Sequence, residues 1–222
     1  MTGTRGEGGR KGRRAQPLLI RLAHWLNVPL LLLMAGSGLQ ILVAYPALGP
    51  QGEWYRWYPF QGVAPPEWAR FGGWLAGGRH WHFALGWFLV LNGTVYLIYL
   101  AVAGEWRRRA FLPWRDAKNA AVMCAYYIRL RRTPPPEVYN GLQRLAYSAV
   151  VFIAVIEVLS GFAIYKPVQL WWLTAVFGGY DSARAVHLIG LGLLALFTVV
   201  HLVMVLLHPR AILEMVTGGR RG

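Results

Sequence analysis

Cysteine is almost absent from this chain, with Cys124 the single example in 222 residues. One cysteine excludes an intrachain disulfide, a CxxCH haem attachment and a cysteine-ligated iron–sulfur cluster, so any redox centre must use other ligands. The sequence also lacks a nucleophile elbow, a phosphate-binding loop and an HExxH motif. Hydrolytic or kinase chemistry of the soluble type therefore has no visible residues here.

Long apolar runs are what the chain does have. Hydrophobic residues make up 56% of the sequence, and the mean hydropathy is +0.37. Four runs, at about 20–43, 81–103, 142–165 and 186–207, approach the roughly 20 residues that cross a bilayer. Because they lack the alternation of strands, they predict an all-α integral membrane four-helix bundle. We expect one transmembrane domain over 20–207, between a basic tail at 1–19 and a second tail at 208–222.

Basic residues are distributed unevenly between the two sides of this bundle. Lys and Arg outnumber Asp and Glu by 23 to 9, and 18 of the 23 fall in residues 1–21, 104–144 and 209–222, which the predicted bundle places on one side. The positive-inside rule then places both termini in the cytoplasm and the other two connections in the periplasm. The charge thus indicates membrane topology, and we expect no nucleic acid partner. The first apolar run is too long for the core of a cleaved signal peptide, so we expect it to be retained.

Two histidines, His187 and His201, lie fourteen residues apart on the last apolar run. Fourteen steps of about 100° return a helix to within roughly 40° of the same face, and they separate the two rings by about 21 Å along the axis. Ionisable side chains are costly inside a membrane and usually functional. The spacing therefore predicts two imidazoles that face the same neighbour near opposite membrane surfaces.

The predicted topology gives each of these histidines a partner at the same depth. His24 begins the first run on the cytoplasmic side and matches His201, whereas His82 begins the second run on the periplasmic side and matches His187. His80 is the alternative to His82, but two residues are about 200° apart on a helix, so only one of them can face the bundle. We choose His82 because it lies deeper and Gly86 follows it by one turn.

Two neutral imidazoles from different helices can hold a haem iron if space exists for the macrocycle. The four histidines therefore predict two b-type haems with His24 and His201 as one pair of axial iron ligands and His82 and His187 as the other. Several glycines could provide the space, although glycines also allow simple helix packing. They are Gly36, Gly38, Gly86, Gly161, Gly190 and Gly192.

The chain resembles the four-helix di-haem cytochrome b subunits of nickel-iron hydrogenases, formate dehydrogenases, thiosulfate reductases and related molybdoenzymes. The resemblance covers nearly the whole chain. It rests on RLAHW around His24, HFALG from His82, YNGLQ from Tyr139 to Gln143, and the spacing of His187 and His201. In that family the first-helix histidine and the second histidine of helix four ligate the cytoplasmic-side haem, which agrees with the pairing above.

The resemblance implies a quinone site beside the inner haem, at Asn140 and Gln143. Their amide groups could hydrogen-bond a quinone carbonyl, or they could simply begin a helix after Pro134 to Pro136. The resemblance also implies electron transfer in the bacterial inner membrane, between the quinone pool and a periplasmic molybdopterin oxidoreductase or hydrogenase subunit. The sequence does not indicate the direction.

The connecting segments carry further expectations. Residues 115–132 resemble an interfacial amphipathic helix whose arginines could contact lipid headgroups. The periplasmic segments 54–60 and 169–180 are rich in aromatic residues, which favours a lipid-interface belt, a docking surface for the redox partner, or both.

Four charged residues near or within the spans also carry expectations. Arg21, Arg79 and Arg184 are candidate partners of the haem propionates, with snorkelling to the membrane surface as the alternative. Glu157 lies inside the third run, where it is either a proton-path residue or a protonated hydrogen-bonding group.

Two other functions stay open at this point. The first is a self-contained quinone reductase of the same fold that takes electrons from a small diffusible donor such as superoxide. The second is a haem-free membrane anchor or small transporter. A soluble redox subunit that co-purifies, and a b-type absorption spectrum, would distinguish these from the main prediction.

Overall fold

The computed structural model describes residues 16–58, 61–127 and 141–219. Within these ranges the chain forms α-helices joined by turns and two short 3₁₀ segments, Pro50–Gly52 and Glu67–Ala69. The helices are α1 (Leu18–Ala44), α2 (Leu75–Val102), α3 (Trp106–Arg109), α4 (Pro113–Tyr127), α5 (Gly141–Tyr165), α6 (Trp171–Val176), α7 (Tyr180–Leu207) and α8 (Arg210–Thr217). The predicted all-α class is confirmed.

Four of these helices, α1, α2, α5 and α7, are long and apolar enough to cross a membrane. They contain 27, 28, 25 and 28 residues, so each exceeds the roughly 30 Å of hydrocarbon at 1.5 Å per residue. Both α2 and α7 begin six residues before the apolar runs that predicted them. Polar residues such as Arg79 and Arg184 end the apolar runs at this side of the membrane. The backbone nevertheless remains helical for several residues outside the hydrocarbon.

The four long helices form two hairpins. Close backbone packing joins α1 to α2 and α5 to α7, whereas backbone approach between the two hairpins is sparse among the described residues. Most large apolar side chains on the outward faces are exposed, as expected for helices that are solvated by lipid. The hairpins thus enclose an interior that side chains, rather than close backbone contacts, must fill.

The two ends of the described chain meet at one end of the bundle. The backbone N–H of Gln16 donates to the carbonyl of Gly218 at 3.0 Å, and Arg109 donates to the Gln16 side chain at 2.9 Å. Arg21 donates to the carbonyls of Met215 and Val216 near the end of α8. The two ends meet because four spans return the chain to the side of the membrane on which the first span begins. We call this the inner end, after the predicted topology, and the opposite end the outer end.

A polar cluster attaches α4 to the start of α5 at the inner end. Asp116 is buried, pairs with Arg144 at 2.6 Å and with Arg115 at 2.9 Å, and accepts a bond from the Leu112 N–H. These arginines, Arg115 above all, hold the pKa of Asp116 well below its usual range, although its burial opposes them. The predicted interfacial helix over 115–132 corresponds to α4, and residues 128–132 lie outside the described range.

Both outer connections fold back onto the helices. The N–H of Phe71 donates to the carbonyl of Gly36 at 3.0 Å, so Gly36 admits a loop. In the second connection, α6 buries Leu173 against Ala163 and Ala183. Several tryptophans of these connections are nevertheless exposed, namely Trp57, Trp68, Trp74, Trp171 and Trp172. The outer end therefore presents an aromatic surface.

Candidate functional site

The structure brings His82 and His187 together near the outer end. Their ring centroids are 6.2 Å apart and their planes are inclined by 79°. His82 comes from the first hairpin and His187 from the second, so the outer pair bridges the two. His80, the alternative, is exposed and has its nearest ring contact with its neighbour Trp81.

A serine lies behind each ring of the outer pair. Ser37 on α1 places its Oγ 3.0 Å from Nδ1 of His82, and Ser160 on α5 does the same to Nδ1 of His187, also at 3.0 Å. Both serines are fully buried. Ligation of a metal through Nε2 leaves the proton on Nδ1, where these oxygens can accept it. The two hydroxyls therefore favour the ring orientation and the tautomer that a ligand binding iron through Nε2 would need.

Each of these serines is followed by a glycine that makes room for the ring. A Cβ on Gly38 would lie 3.3 Å from Cε1 of His82, and a Cβ on Gly161 would lie 3.3 Å from Cε1 of His187. Both distances are shorter than the usual carbon–carbon contact of about 3.5 Å or more. The Ser-Gly sequence on α1 and on α5 thus accommodates the two rings in the same way, with the hydroxyl beside Nδ1 and the glycine beside Cε1.

The inner pair, His24 and His201, meets toward the inner end of the same bundle. Their centroids are 6.0 Å apart with an interplanar angle of 56°. Phe197, one turn before His201 on α7, stacks on its ring at 5.8 Å. Nδ1 of His24 is buried and has no hydrogen-bond partner among the described residues. The inner pair therefore lacks the symmetric serine support of the outer pair.

The two separations fit one iron atom between each pair of rings. With metal–nitrogen bonds of about 2 Å and ring centres about 1.1 Å behind each nitrogen, two axial imidazoles have centroids about 6 Å apart. The sparse backbone approach between the hairpins is also what a macrocycle would require. The donor set, two neutral imidazoles without thiolate, is the usual one for a low-spin b-type haem.

The described residues include all three candidate arginines. Arg184, one turn before His187, is largely buried and donates to the carbonyl of Tyr45 at 2.7 Å. Arg79, one turn before His82, is exposed and lies over the Phe83 ring at 5.8 Å. Arg21 instead serves the carbonyls at the end of α8, as described above. Two of the three thus lie beside the outer pair.

Comparison with known proteins places this arrangement in a family. The family model for prokaryotic cytochrome b561 matches residues 15–218, which is nearly the whole chain. The chain belongs to the prokaryotic cytochrome b561 family. A relative from Azospira oryzae, a putative protein-methionine-sulfoxide reductase subunit YedZ1, is 35% identical over 202 residues, covering 91% of this chain and 95% of the relative. No solved structure matches the chain significantly.

Membership of the cytochrome b561 family establishes the broad function. The chain is a multi-pass protein of the bacterial inner membrane that binds b-type haem and transfers electrons. A haem-free anchor or small transporter is therefore excluded, and the family resemblance seen in the sequence is confirmed. The haem number and the ligand residues are not decided by family membership.

The candidate quinone residues of this cytochrome are only partly described. Asn140 lies outside the described residues. Gln143 lies in the first turn of α5, on its exposed side, at the inner end of the bundle. The backbone N–H of Gly141, two residues earlier, donates to Asn119 of α4 at 2.5 Å. The predicted quinone site therefore coincides with the junction of α4 and α5.

Sequence reasoning missed Ser37 and Ser160, and it left Glu157 without a partner. The structure places Oε2 of Glu157 2.5 Å from Nδ1 of His187. A signal existed, because the dipeptide Ser-Gly occurs once in the first span and once in the third, at corresponding depths. The Ser-Gly repeat can be interpreted only when the two hairpins are compared with their histidines in equivalent positions.

Proposed function

We propose that this cytochrome holds two b haems, an inner one between His24 and His201 and an outer one between His82 and His187. The observation that carries the proposal is the meeting of both pairs at centroid separations of 6.0 and 6.2 Å. Each pair joins the two hairpins, so haem binding would also tie the hairpins together. Bound there, the haems would supply one-electron redox couples at two depths of the membrane.

The surrounding residues have defined tasks in this proposal. Ser37 and Ser160 orient the outer imidazoles through Nδ1. Arg184 is the best placed cation for an outer propionate, because it is largely buried and only one turn from His187. Arg79 is a second candidate at that end. Arg21 suits the inner propionates least, since two of its guanidinium nitrogens already donate to carbonyls near the end of α8, whereas Arg184 donates to the single carbonyl of Tyr45.

We further propose that electrons enter from quinol at the inner end. Gln143 and Asn140 are the candidates to hold the quinone carbonyl, because amide groups can both donate and accept hydrogen bonds there. Support comes from the position of Gln143 at the inner end, where a membrane quinone can reach α5. The side of the membrane that this end faces is the cytoplasmic one in our proposal, on the charge distribution.

The outer end would then deliver electrons to a periplasmic partner. The relative is named as a subunit of a protein-methionine-sulfoxide reductase, and a reductase must receive electrons. By analogy we propose a periplasmic methionine-sulfoxide-reducing subunit, of the molybdoenzyme type, as the partner, in preference to a hydrogenase. The exposed tryptophans at this end, Trp68 and Trp171 among them, would form its docking surface.

Single ligand substitutions test the haem assignment. His24→Ala and His201→Ala should each lose the same haem, and His82→Ala and His187→Ala should each lose the other. Haem per polypeptide and a redox titration of the purified protein measure this. His80→Ala is the matched control, and it should keep both haems. Loss of a haem in His80→Ala, with none lost in His82→Ala, would contradict the assignment of the outer pair.

A second measurement tests the partner. Membranes that contain the cytochrome should reduce methionine sulfoxide in a protein substrate when quinol and a soluble methionine-sulfoxide-reducing subunit are added. His201→Ala should abolish quinol-driven haem reduction. Reduction that proceeds equally well with superoxide as donor, and without any soluble subunit, would favour the self-contained quinone reductase instead.

A further inference from the structure

The two histidines of the outer pair have nearly identical surroundings. Behind each ring a buried serine hydroxyl contacts Nδ1, and each serine in turn donates to the carbonyl three residues earlier, Met34 for Ser37 and Glu157 for Ser160. These bonds measure 3.0 and 3.1 Å. The α1–α2 hairpin and the α5–α7 hairpin therefore present the two rings in equivalent ways.

The two surroundings differ at the residue three positions before the serine. Met34 reaches a glycine on the helix of its histidine, with Cε 3.7 Å from where a Cβ on Gly86 would lie. Glu157 occupies the equivalent place in the second hairpin, with Oε1 2.5 Å from where a Cβ on Gly190 would lie. Gly190 therefore accommodates this carboxylate. The first hairpin, which carries His82, therefore has the thioether of Met34 at this position, and the second hairpin, which carries His187, has the carboxylate of Glu157.

The carboxylate lies against the imidazole of His187. Oε2 of Glu157 lies 2.5 Å from Nδ1 of His187, closer than the Ser160 hydroxyl at 3.0 Å. Neither carboxylate oxygen has a hydrogen-bond partner among the described residues, so the approach to Nδ1 is a charge contact, and the hydrogen bond at Nδ1 is the one with Ser160. By contrast, Nδ1 of His82 has only neutral oxygens beside it, Ser37 Oγ at 3.0 Å and the Met34 carbonyl at 3.1 Å.

A carboxylate at Nδ1 changes the electronic character of a metal-bound imidazole. A negative charge beside Nδ1 polarises the N–H of such a ligand and makes the imidazole a more basic ligand. A more basic ligand and a nearby negative charge both favour ferric over ferrous iron. A ferric b haem with two neutral imidazoles carries a net positive charge at its centre, which compensates the buried carboxylate.

We propose that Glu157 lowers the reduction potential of the outer haem through the negative charge that it places beside Nδ1 of His187. Glu157 is thus a positioning and tuning residue for the one-electron ferric/ferrous couple, in which no bond to the iron forms or breaks. This inference rests on the proposed function, because it requires His187 to be an axial ligand. Its consequence is that the outer haem, once reduced, is a stronger donor to whatever protein docks at the outer end.

Redox titration of Glu157→Gln in the purified full-length protein tests this inference. Glutamine keeps the size of the side chain and removes the charge. We expect the potential of one of the two haems to rise, with its equilibrium constant for reduction increased by at least about tenfold, which is about 59 mV for one electron. The other haem should not change. In a Glu157→Gln, His201→Ala double variant, the component that remains should be the shifted one.

Two further variants act as controls. Met34→Gln places the same amide at the equivalent position of the first hairpin, where no side-chain carboxylate is lost, and neither potential should rise. Glu157→Met reproduces the residue of the first hairpin, and it should raise the same potential as Glu157→Gln even if the amide disturbs folding.

Unchanged potentials in both Glu157 variants would overturn the inference. Loss of the outer haem in both would also overturn it, since Glu157 would then be needed to hold the haem rather than to tune it. Failure of the proposed function gives a different result. In that case His187→Ala would retain both haems at their original potentials, and the ligand assignment itself would be wrong.

Discussion

Replacing Gly161 with alanine should weaken the binding of the outer haem. The new methyl group would lie 3.3 Å from Cε1 of His187, which is about 0.2 to 0.7 Å inside the usual range of carbon–carbon contacts. The ring cannot retreat freely, because Ser160 is hydrogen-bonded to its Nδ1 and Glu157 packs against the same edge. Overpacking of this kind typically destabilises a structure by about 1 to 3 kcal/mol. Because the overlap with the ring is small, we expect a cost near the lower limit.

A cost of about 1 kcal/mol corresponds to roughly fivefold weaker haem retention. Transfer of haem from the purified protein to excess apomyoglobin measures it directly. We expect two phases of haem loss, of which only one becomes about fivefold faster in Gly161→Ala. Gly38→Ala should affect the same phase, since its methyl group would lie 3.3 Å from Cε1 of His82.

The matched control is Gly192→Ala. Gly192 is also helical, but it is exposed on α7, and a Cβ there would meet no atom within 4 Å. Alanine favours a helix over glycine by up to about 1 kcal/mol at either position, so the comparison isolates the contact with the histidine ring. Equal rates of haem loss in Gly161→Ala and Gly192→Ala would refute the reasoning.

Three other predictions concern the bundle. Asn92→Ala removes hydrogen bonds to Asn27 and to the Ala23 carbonyl, so thermal unfolding in detergent should show a loss of about 1 kcal/mol. Because the pKa of Asp116 is lowered on folding, its stabilising contribution is present above about pH 4 and lost as the pH falls further; Asp116→Asn should flatten the dependence of Tm on pH below about pH 5. Gly141→Ala puts a methyl group against the α4 backbone, so α4 should become protease-sensitive. Unchanged protection in this variant would contradict the close packing of α4 on α5.

The sequence predicted the architecture well because the membrane imposes it. Apolar runs near 20 residues long define helices in any bilayer; three of the four predicted spans lie within observed helices, and the second ends one residue past α2. The helix starts at Leu75 and Tyr180 were missed, since hydropathy marks the hydrocarbon boundary and not the end of helical hydrogen bonding. The short helix α8 was missed for a related reason, because it lies in a segment too short and polar to register as a span.

The histidine pairing was accessible from the sequence for a geometric reason. Helical rise and alternating direction fix the depth of each histidine, and equal depth brings His24 to His201 and His82 to His187. The surroundings of the rings were not accessible. That Ser160 and Glu157 both reach Nδ1 of His187 depends on the rotation of α5 about its axis, and hydropathy carries no such information when a span is apolar on all sides.

Haem stoichiometry combined with electron paramagnetic resonance of the oxidised protein tests the central claim most directly. We expect two b haems per polypeptide, both low-spin, with the signals of two axial imidazoles. One of these signals should disappear in His187→Ala and the other in His201→Ala. A single haem per polypeptide, or a high-spin haem that survives both substitutions, would contradict the account.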